Sequence, residues 1–137
     1  MSGFDRESAE TFLRENFAAW VLDLDLSVEA MGSDSATLRM AFSDRLCREG
    51  GVVSGQALMA LADTAMVLAV MASQGGPRPL TTMDQSCHFL KPLSGADCLA
   101  EAQVVRAGRT AAFGRVDLKN ADDGKPVAIA QCAFALL

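Results

Sequence analysis

The stretch Ser54–Gln74, SGQALMALADTAMVLAVMASQ, decides the fold of this chain. Nearly every side chain from Ala57 to Ala72 is small or aliphatic, and only Asp63 and Thr64 interrupt the run. The alanine content and the length of the stretch favour a helix over a strand. A surface helix has one polar face, whereas this stretch is apolar nearly all round. It therefore predicts a central helix that the rest of the domain encloses on most sides.

Both ends of the stretch carry helix-boundary signals. Ser54 is a favourable N-cap, and the sequence Gly75-Gly76-Pro77 predicts the end of the helix. A membrane span is the alternative for so apolar a segment. It would put Asp63 at the bilayer centre, which costs roughly 2.5–3.5 kcal/mol on insertion scales, and no basic loop flanks the stretch. We therefore expect a core helix and no membrane partner.

The carboxylate of Asp63 needs an explanation, because Asp is a poor mid-helix residue and is rarely buried without a partner. It either faces a solvent gap or caps a neighbouring loop, or it is a catalytic group that activates water or attacks a carbonyl. The start of the helix is relevant to the second reading. The free N–H groups of Gly55 and Gln56 are suited to stabilising an oxyanion.

The spacing of these groups predicts an oligomer. Gly55 and Asp63 are eight residues apart, which is about 12 Å along a helix that rises 1.5 Å per residue. One bound carbonyl cannot easily use both groups of the same chain. Two antiparallel copies of the helix bring the start of one copy beside the Asp63 of the other. We therefore expect a homo-oligomer with shared sites, and Leu80–Leu90 is the natural edge for pairing with a second copy.

Composition narrows the class of protein. The 137 residues carry a net charge of −5 and are 50% hydrophobic, so we expect one domain over residues 1–137 and no nucleic-acid partner. The segment Met1–Glu10 is polar and mixed in charge, which predicts no signal peptide and a cytoplasmic location. The four cysteines are scattered and His88 is the only histidine, so we expect reduced thiols and no metal site.

Hydrophobic periodicity predicts an α+β order of helix, two strands, the long helix and four strands. A short helical segment falls within residues 1–20, and the loop at Ser43–Val53 precedes the long helix. The predicted strands are Leu22–Val28, Ala36–Phe42, Leu80–Leu90, Asp97–Arg106, Thr110–Lys119 and Pro126–Leu137. No crossover helices separate the last four strands, so we expect an antiparallel sheet of about six strands that curls around the helix.

Three motifs in this order resemble the hotdog-fold acyl-CoA thioesterases, and most closely their phenylacetate-degradation branch. The first is Gly-Gly-Val-Val-Ser-Gly-Gln-Ala-Leu-Met-Ala-Leu-Ala-Asp-Thr-Ala, ending just after Asp63. The others are His88-Phe-Leu-Lys-Pro92 and Val105-Arg-Ala-Gly-Arg109. The resemblance runs from about Leu22 to the C-terminus, and it implies a hotdog fold in which a curved sheet wraps one long helix.

The resemblance also implies roles for individual residues. Asp63 matches the family's catalytic carboxylate, and Gly55 matches the glycine whose N–H polarises the thioester carbonyl. Thr82 falls near a strand hydroxyl that positions water in some members, although an ordinary strand residue is the simpler reading. Two departures stand out: Ser54-Gly55-Gln56 replaces the usual His-Gly-Gly, and Arg48 lies where an Asn is common.

Seven residues are candidates for substrate binding. Ser54, Gln56 and Arg48 occupy the changed positions, and Met59 is either core packing or a wall of an acyl pocket. Lys91, Arg106 and Arg109 are suited to the phosphates of coenzyme A, unless they are solvated turn charges.

The sequence thus predicts an acyl-CoA thioesterase that works as a homodimer or homotetramer, with no cofactor beyond the coenzyme A of its substrate. Two alternatives remain open. One is a hotdog protein that binds acyl-CoA without turnover, which the missing His favours. The other is a hydratase or dehydratase, which usually needs an Asp–His pair near the helix. The sequence does not distinguish a base from a nucleophile at Asp63, nor one acyl chain from another.

Overall fold

The computed structural model describes residues 3–137 as an α+β fold in which one long helix lies against a six-stranded antiparallel sheet. The helices are α1 (Arg6–Asn16), α2 (Ala19–Leu22) and α3 (Gly55–Ser73). The strands are β1 (Leu26–Met31), β2 (Ser35–Met40), β3 (Cys47–Arg48), β4 (Val52–Val53), β5 (Leu80–Phe89), β6 (Cys98–Ala107), β7 (Ala111–Asn120) and β8 (Pro126–Leu136). The strand order in the main sheet is β1-β2-β6-β7-β8-β5.

The boundaries of α3 confirm the predicted capping. The Ser54 hydroxyl accepts the N–H of Ala57 at 3.2 Å, which satisfies one free donor of the first turn. At the other end, Gly75 takes a positive φ of 82°. Its N–H donates to the carbonyl of Ala72, and the next N–H donates to Met71. This is a Schellman end, which favours glycine because other side chains are strained at positive φ.

The core lies between α3 and the sheet. Thirteen of the residues of α3 are buried, and the helix packs mainly on β2, β6 and β7. By length and composition α3 could also cross a membrane, but 67% of its most apolar window is buried inside the fold. Wrapping on most sides removes the apolar surface from water, which is the role that the sequence predicts for this helix.

The helix approaches the sheet closely at Gly114 in β7. A Cβ at this position would overlap the side chain of Met66 and would lie 2.9 Å from the carbonyl oxygen of Gln103. Met66 is fully buried, so its thioether fills the space that the glycine leaves open. The glycine therefore sets the distance between helix and sheet at the centre of the core.

The predicted elements agree with the structure except near two loops. The strand predicted over Leu22–Val28 is wrong in its first half, because Leu22 ends α2 and the strand starts only at Leu26. Asp25 takes a left-handed φ of 57° between them, which interrupts an extended run. The loop at Ser43–Val53 contains a turn of 3-10 helix at Asp44–Leu46 and the short hairpin of β3 and β4.

Candidate active site

The strand β5 forms one edge of the sheet and lies along α3. Its Thr82 hydroxyl donates to Asp63 Oδ1 at 2.9 Å. One turn of helix away, Gln85 Nε2 donates to the carbonyl oxygen of Met59 at 3.0 Å. At the far end of the strand, the ring of Phe89 contacts Gly55. Three side chains of β5 thus contact α3, from Asp63 back to the first residue of the helix.

A β-bulge in β5 makes this alignment possible. Thr82 pairs with Phe134 of β8 and Gln85 pairs with Cys132, with a register shift between Thr82 and Asp84. Side chains three apart in a regular strand point to opposite faces. The extra residue of the bulge, Met83, restores the alternation, so that Thr82 and Gln85 both face the helix.

Asp63 lies half-buried at the centre of this contact. Burial raises the pKa of its carboxyl group above the ordinary 3.8, because the apolar surroundings penalise the charged form. The hydrogen bond from Thr82 acts in the opposite direction, since it stabilises the carboxylate. A carboxylate that is partly desolvated and held by one hydroxyl donor is oriented and more basic than a free one.

The start of α3 presents free backbone donors. Ser54 caps the N–H of Ala57, whereas the N–H groups of Gly55 and Gln56 have no acceptor among residues 3–137. Such groups carry partial positive charge that favours an anion or an oxyanion. The ring of Phe89 covers one side of Gly55, where a Cβ would lie 3.1 Å from the ring carbon Cζ.

A cleft of about 350 Å³ opens beside this helix end, and we call it the helix-end cleft. Its walls are mostly apolar, with the cationic side chains of Arg48 and Lys91 among the lining residues. Lys91 makes no ion pair within residues 3–137, and Arg48 donates only to the carbonyl of Glu49. The full lining is Arg48, Val52, Val53, Gly55, Leu58, Phe89, Leu90, Lys91, Pro92 and Leu93.

The predicted site residues fall into separate groups within one chain. The Thr82 hydroxyl donates to Asp63, and the Met59 carbonyl accepts a hydrogen bond from Gln85 on the same strand. Gly55, Arg48 and Lys91 meet at the helix-end cleft. Ser54 caps α3, and Gln56 is exposed in its first turn.

Two predicted phosphate ligands lie elsewhere in the chain. Arg106 is exposed near the end of β6, and Arg109 is exposed in the turn between β6 and β7. The carbonyl of Arg109 accepts from Arg78, which follows the C-terminal end of α3. Within one chain these two arginines therefore lie at the opposite end of α3 from Gly55.

Two contacts of the site have no counterpart in the sequence-based prediction. The amide of Gln85 and the ring of Phe89 both reach α3. The sequence gives Gln85 no role, and it gives Phe89 none beyond its place in the motif His88–Pro92. The predicted strand is the one feature of the sequence that points to these contacts, because every inward residue of an edge strand beside a helix can contact that helix. The bulge at Met83 hides this signal, since it changes the alternation on which such a count depends.

Metal-binding residues do not cluster in the described part of the chain: over residues 3–137, no group of three or more His, Cys, Asp or Glu side chains is arranged to hold an ion. The four cysteines are free. Burial raises the pKa of the Cys132 thiol to about 12, which keeps it protonated at neutral pH. The titratable groups near Cys132 are thus the carboxyl groups of Asp63 and Asp84 and the thiol of Cys87.

Comparison with known proteins gives consistent matches. A family model described as the thioesterase superfamily matches residues 50–127, which is more than half of the chain. The structure of zebrafish thioesterase superfamily member 2 is 26% identical with a TM-score of 0.86, covering 96% of this chain and 98% of its own. A conserved protein of Pseudomonas aeruginosa is 28% identical with a TM-score of 0.82, covering 88% and 95%.

A third solved structure shares the fold. The PaaI protein of the Escherichia coli phenylacetic acid degradation operon superposes with a TM-score of 0.83 over 96% of this chain and 95% of its own, at 20% identity. That identity supports a common fold alone. Comparison with curated protein sequences finds no significant match.

Proposed function

The chain belongs to the thioesterase superfamily and has its hotdog fold, and on that premise we propose that it hydrolyses acyl-CoA thioesters. The observation that carries the proposal is the half-buried carboxylate of Asp63, held by Thr82 on the helix that forms the core. A thioester hydrolase needs a group that activates or replaces water and a donor for the carbonyl oxygen. Asp63 and the N–H groups at the start of α3 are suited to these two tasks.

In the general-base route, Asp63 accepts a proton from water while the water oxygen attacks the thioester carbonyl carbon. The negative charge that develops on the carbonyl oxygen is stabilised by the N–H groups of Gly55 and Gln56. The C–S bond then breaks, and the thiolate of coenzyme A takes up the proton. The products are the free acid and the free thiol, so one water is consumed and no redox partner is needed.

A nucleophilic route uses the same residues. The Asp63 carboxylate attacks the carbonyl carbon and expels the thiolate, which leaves a mixed anhydride that water then hydrolyses. Desolvation favours either role, because it raises the basicity of the carboxylate above that of an exposed aspartate. The hydrogen bond from Thr82 fixes one oxygen of the carboxylate and leaves the other free to react.

We propose that each site takes groups from two copies of the chain. Gly55 and Asp63 are separated by about 12 Å along α3, too far for one carbonyl to contact both. The strand β5 has a partner on one side only, β8, so its other edge offers unpaired backbone groups to a second copy. Pairing of two β5 edges about a two-fold axis sets the start of one α3 beside the Asp63 of the other.

The helix-end cleft supports coenzyme A as the leaving thiol. Its apolar walls suit the aliphatic arm that carries the sulfur, and Arg48 and Lys91 suit the phosphate groups beyond it. The candidate binding residues Ser54 and Gln56 flank Gly55 at the same end of α3. Arg106 and Arg109 would have to act from the second copy, because they lie at the other end of α3 within one chain.

A non-catalytic acyl-CoA-binding protein is the second candidate, and the Ser54-Gly55-Gln56 sequence in place of His-Gly-Gly is what favours it. The two are separated by incubating the protein with a panel of aryl- and fatty-acyl-CoA thioesters and measuring free thiol. An enzyme releases many equivalents of thiol per site. Calorimetric binding of the same compounds with no thiol release beyond the blank would leave the binding protein as the correct account.

A further inference from the structure

We infer that Gln85 is a positioning residue that holds β5 against α3 and thereby keeps the Thr82 hydroxyl on Asp63. The catalytic consequence of this inference rests on the proposed hydrolysis, whereas its structural part does not. The inference begins from the two side-chain hydrogen bonds between β5 and α3. They run from Thr82 to Asp63 at 2.9 Å and from Gln85 to the Met59 carbonyl at 3.0 Å.

The carbonyl that Gln85 reaches belongs to the same helical turn as the carboxylate. Met59 lies four residues before Asp63, so in a regular helix its carbonyl also accepts the N–H of Asp63. The amide of Gln85 therefore ties the strand to the backbone of the very turn that carries the carboxylate. A shift of β5 relative to this turn would break both side-chain contacts together.

The bond from Gln85 acts at the point where the pairing of β5 within its own chain is interrupted. β5 is an edge strand, and the bulge between Thr82 and Asp84 interrupts its pairing with β8 beside Thr82. Within a single chain Thr82, Met83 and Asp84 are all exposed, so few side chains of the same chain pack against them. The extra bulge residue, Met83, has no ladder partner in β8.

The bulge and the glutamine depend on each other. The bulge turns both Thr82 and Gln85 toward α3, and Gln85 then fixes the strand just past the irregularity. A side chain with a hydrogen-bond donor is required, because the Met59 carbonyl only accepts hydrogen bonds. An apolar residue of the same length would occupy the space but would leave the strand without this hydrogen bond to the helix.

The acidity of Asp63 reports the distance to Thr82. The Thr82 hydroxyl stabilises the carboxylate, so its withdrawal raises the pKa of Asp63 further above the ordinary value. The other titratable groups nearby are the thiols of Cys87 and Cys132 and the carboxylate of Asp84. Burial raises the pKa of both thiols, so they stay uncharged while Asp63 titrates.

The test measures the pKa of Asp63 by carbon-13 NMR of labelled full-length protein, with the signal assigned by its loss in Asp63→Asn. The variants are Gln85→Met, which keeps the unbranched shape and removes the donor, Thr82→Val, and the two combined. Gln85→Asn is a second probe, because its shorter amide stays polar but cannot span the same distance. The matched control is Gln103→Met, since the Gln103 amide donates to backbone carbonyls away from the site.

We expect Gln85→Met and Gln85→Asn to raise the pKa of Asp63 in the same direction as Thr82→Val. In the Thr82→Val background, Gln85→Met should have no further effect, and Gln103→Met should have none in either background. In turnover of an acyl-CoA, Gln85→Met should lower kcat by about threefold to tenfold, the size expected for one hydrogen bond. Its KM should stay close to that of the wild type.

Three results would overturn the inference. The pKa of Asp63 could be unchanged in Gln85→Met or unchanged in Thr82→Val. The third result is that Gln85→Met raises this pKa equally in the wild-type and the Thr82→Val backgrounds. Failure of the proposed hydrolysis looks different. The wild type would then release no thiol, while the NMR pattern would still show whether Gln85 positions Thr82 on Asp63.

Discussion

The ring of Phe89, at the end of β5, lies against Gly55, the first residue of α3, so closely that a Cβ there would be 3.1 Å from the ring carbon Cζ. The packing of the ring therefore favours glycine here, apart from any need for an open N–H. Proline is tolerated in the first turn of many helices, but at this position it would press on the same ring. A proline at Gly55 is for this reason a poor probe of the N–H alone.

The effect of Gly55→Ala on the free energy of unfolding should depend on Phe89. The new Cβ forces the half-exposed ring to move by a few tenths of an ångström, which offsets the gain in helix propensity. In a Phe89→Ala background the same change should be more favourable by about 0.5–1.5 kcal/mol, in the range of contacting pairs. Urea unfolding of the four proteins measures the coupling. Phe113→Ala, a similarly exposed ring on β7, is the control and should be additive with Gly55→Ala.

Gly114→Ala should destabilise the fold by about 1–3 kcal/mol, the usual cost of overpacking a core. Met66 can move aside to some extent, but the carbonyl of Gln103, 2.9 Å from the new Cβ, cannot without disturbing β6. Gly108→Ala is the matched control, because its nearest neighbour would be at an ordinary 3.7 Å. Equal midpoints of thermal unfolding for the two variants would mean that the close approach of helix to sheet is relaxed in solution.

The two cations of the helix-end cleft should affect binding more than chemistry. Arg48→Met and Lys91→Met should each raise the KM for an acyl-CoA by about twofold to fivefold, as expected for a partly solvated charge contact. The KM for the matching acyl-pantetheine, which lacks phosphates, should not change. Arg6→Met, on α1, is the control. A rise in KM for both substrates would show that the side chains shape the cleft instead of binding phosphate.

Replacing Asp63 should stabilise the protein at neutral pH. Burial raises the folded-state pKa of Asp63 above its ordinary 3.8, so the folded state holds the proton more tightly than the unfolded chain. The stability that this tighter proton binding gives the folded state is complete below the pKa of Asp63 in the unfolded chain. It is lost as the pH rises through the pKa of Asp63 in the folded state. Asp63→Asn does not undergo this loss and keeps an acceptor for Thr82. Its advantage in Tm over the wild type should therefore grow as the pH is raised from acid to neutral.

Asp97 provides a control, because its pKa is shifted in the opposite direction from that of Asp63. The N–H of Phe42 and the guanidinium of Arg39 lower the pKa of the Asp97 carboxyl below its ordinary value. Its stabilising contribution is present above the unfolded pKa and is lost as the pH falls through the folded pKa. Asp97→Asn should thus become less stable than the wild type as the pH rises. The same pH trend in both variants would contradict the electrostatic reading of Asp63.

Much of the fold follows from patterns that depend on one element at a time. The apolar run of α3, its Ser54 cap and the glycine end predict that helix to within a residue at each end. The strands β5 to β8 follow from alternation and turn residues. The start of β1 could not be predicted, because Leu22 and Leu24 continue the alternation in sequence while α2 and the left-handed Asp25 occupy that segment.

The site was less accessible to sequence reasoning, because its contacts join elements far apart in the chain. The resemblance implied Asp63 and Thr82, and the structure brings them together. The tie between Gln85 and Met59 depends on a bulge whose position the sequence does not reveal. The locations of Arg106 and Arg109 depend on which end of α3 the turn between β6 and β7 meets, and that is a property of the strand order.

The measurement that tests the account most directly is the kcat of Asp63→Asn for an acyl-CoA that the wild type hydrolyses. The account predicts a loss of roughly 10²–10⁴-fold, the contribution of a general base, in a protein that folds at least as stably as the wild type. Asp23→Asn, which changes an exposed carboxylate after α2, should leave kcat unchanged. A folded Asp63→Asn that retains the wild-type kcat to within about a factor of two would contradict the assignment of Asp63 as the catalytic carboxylate.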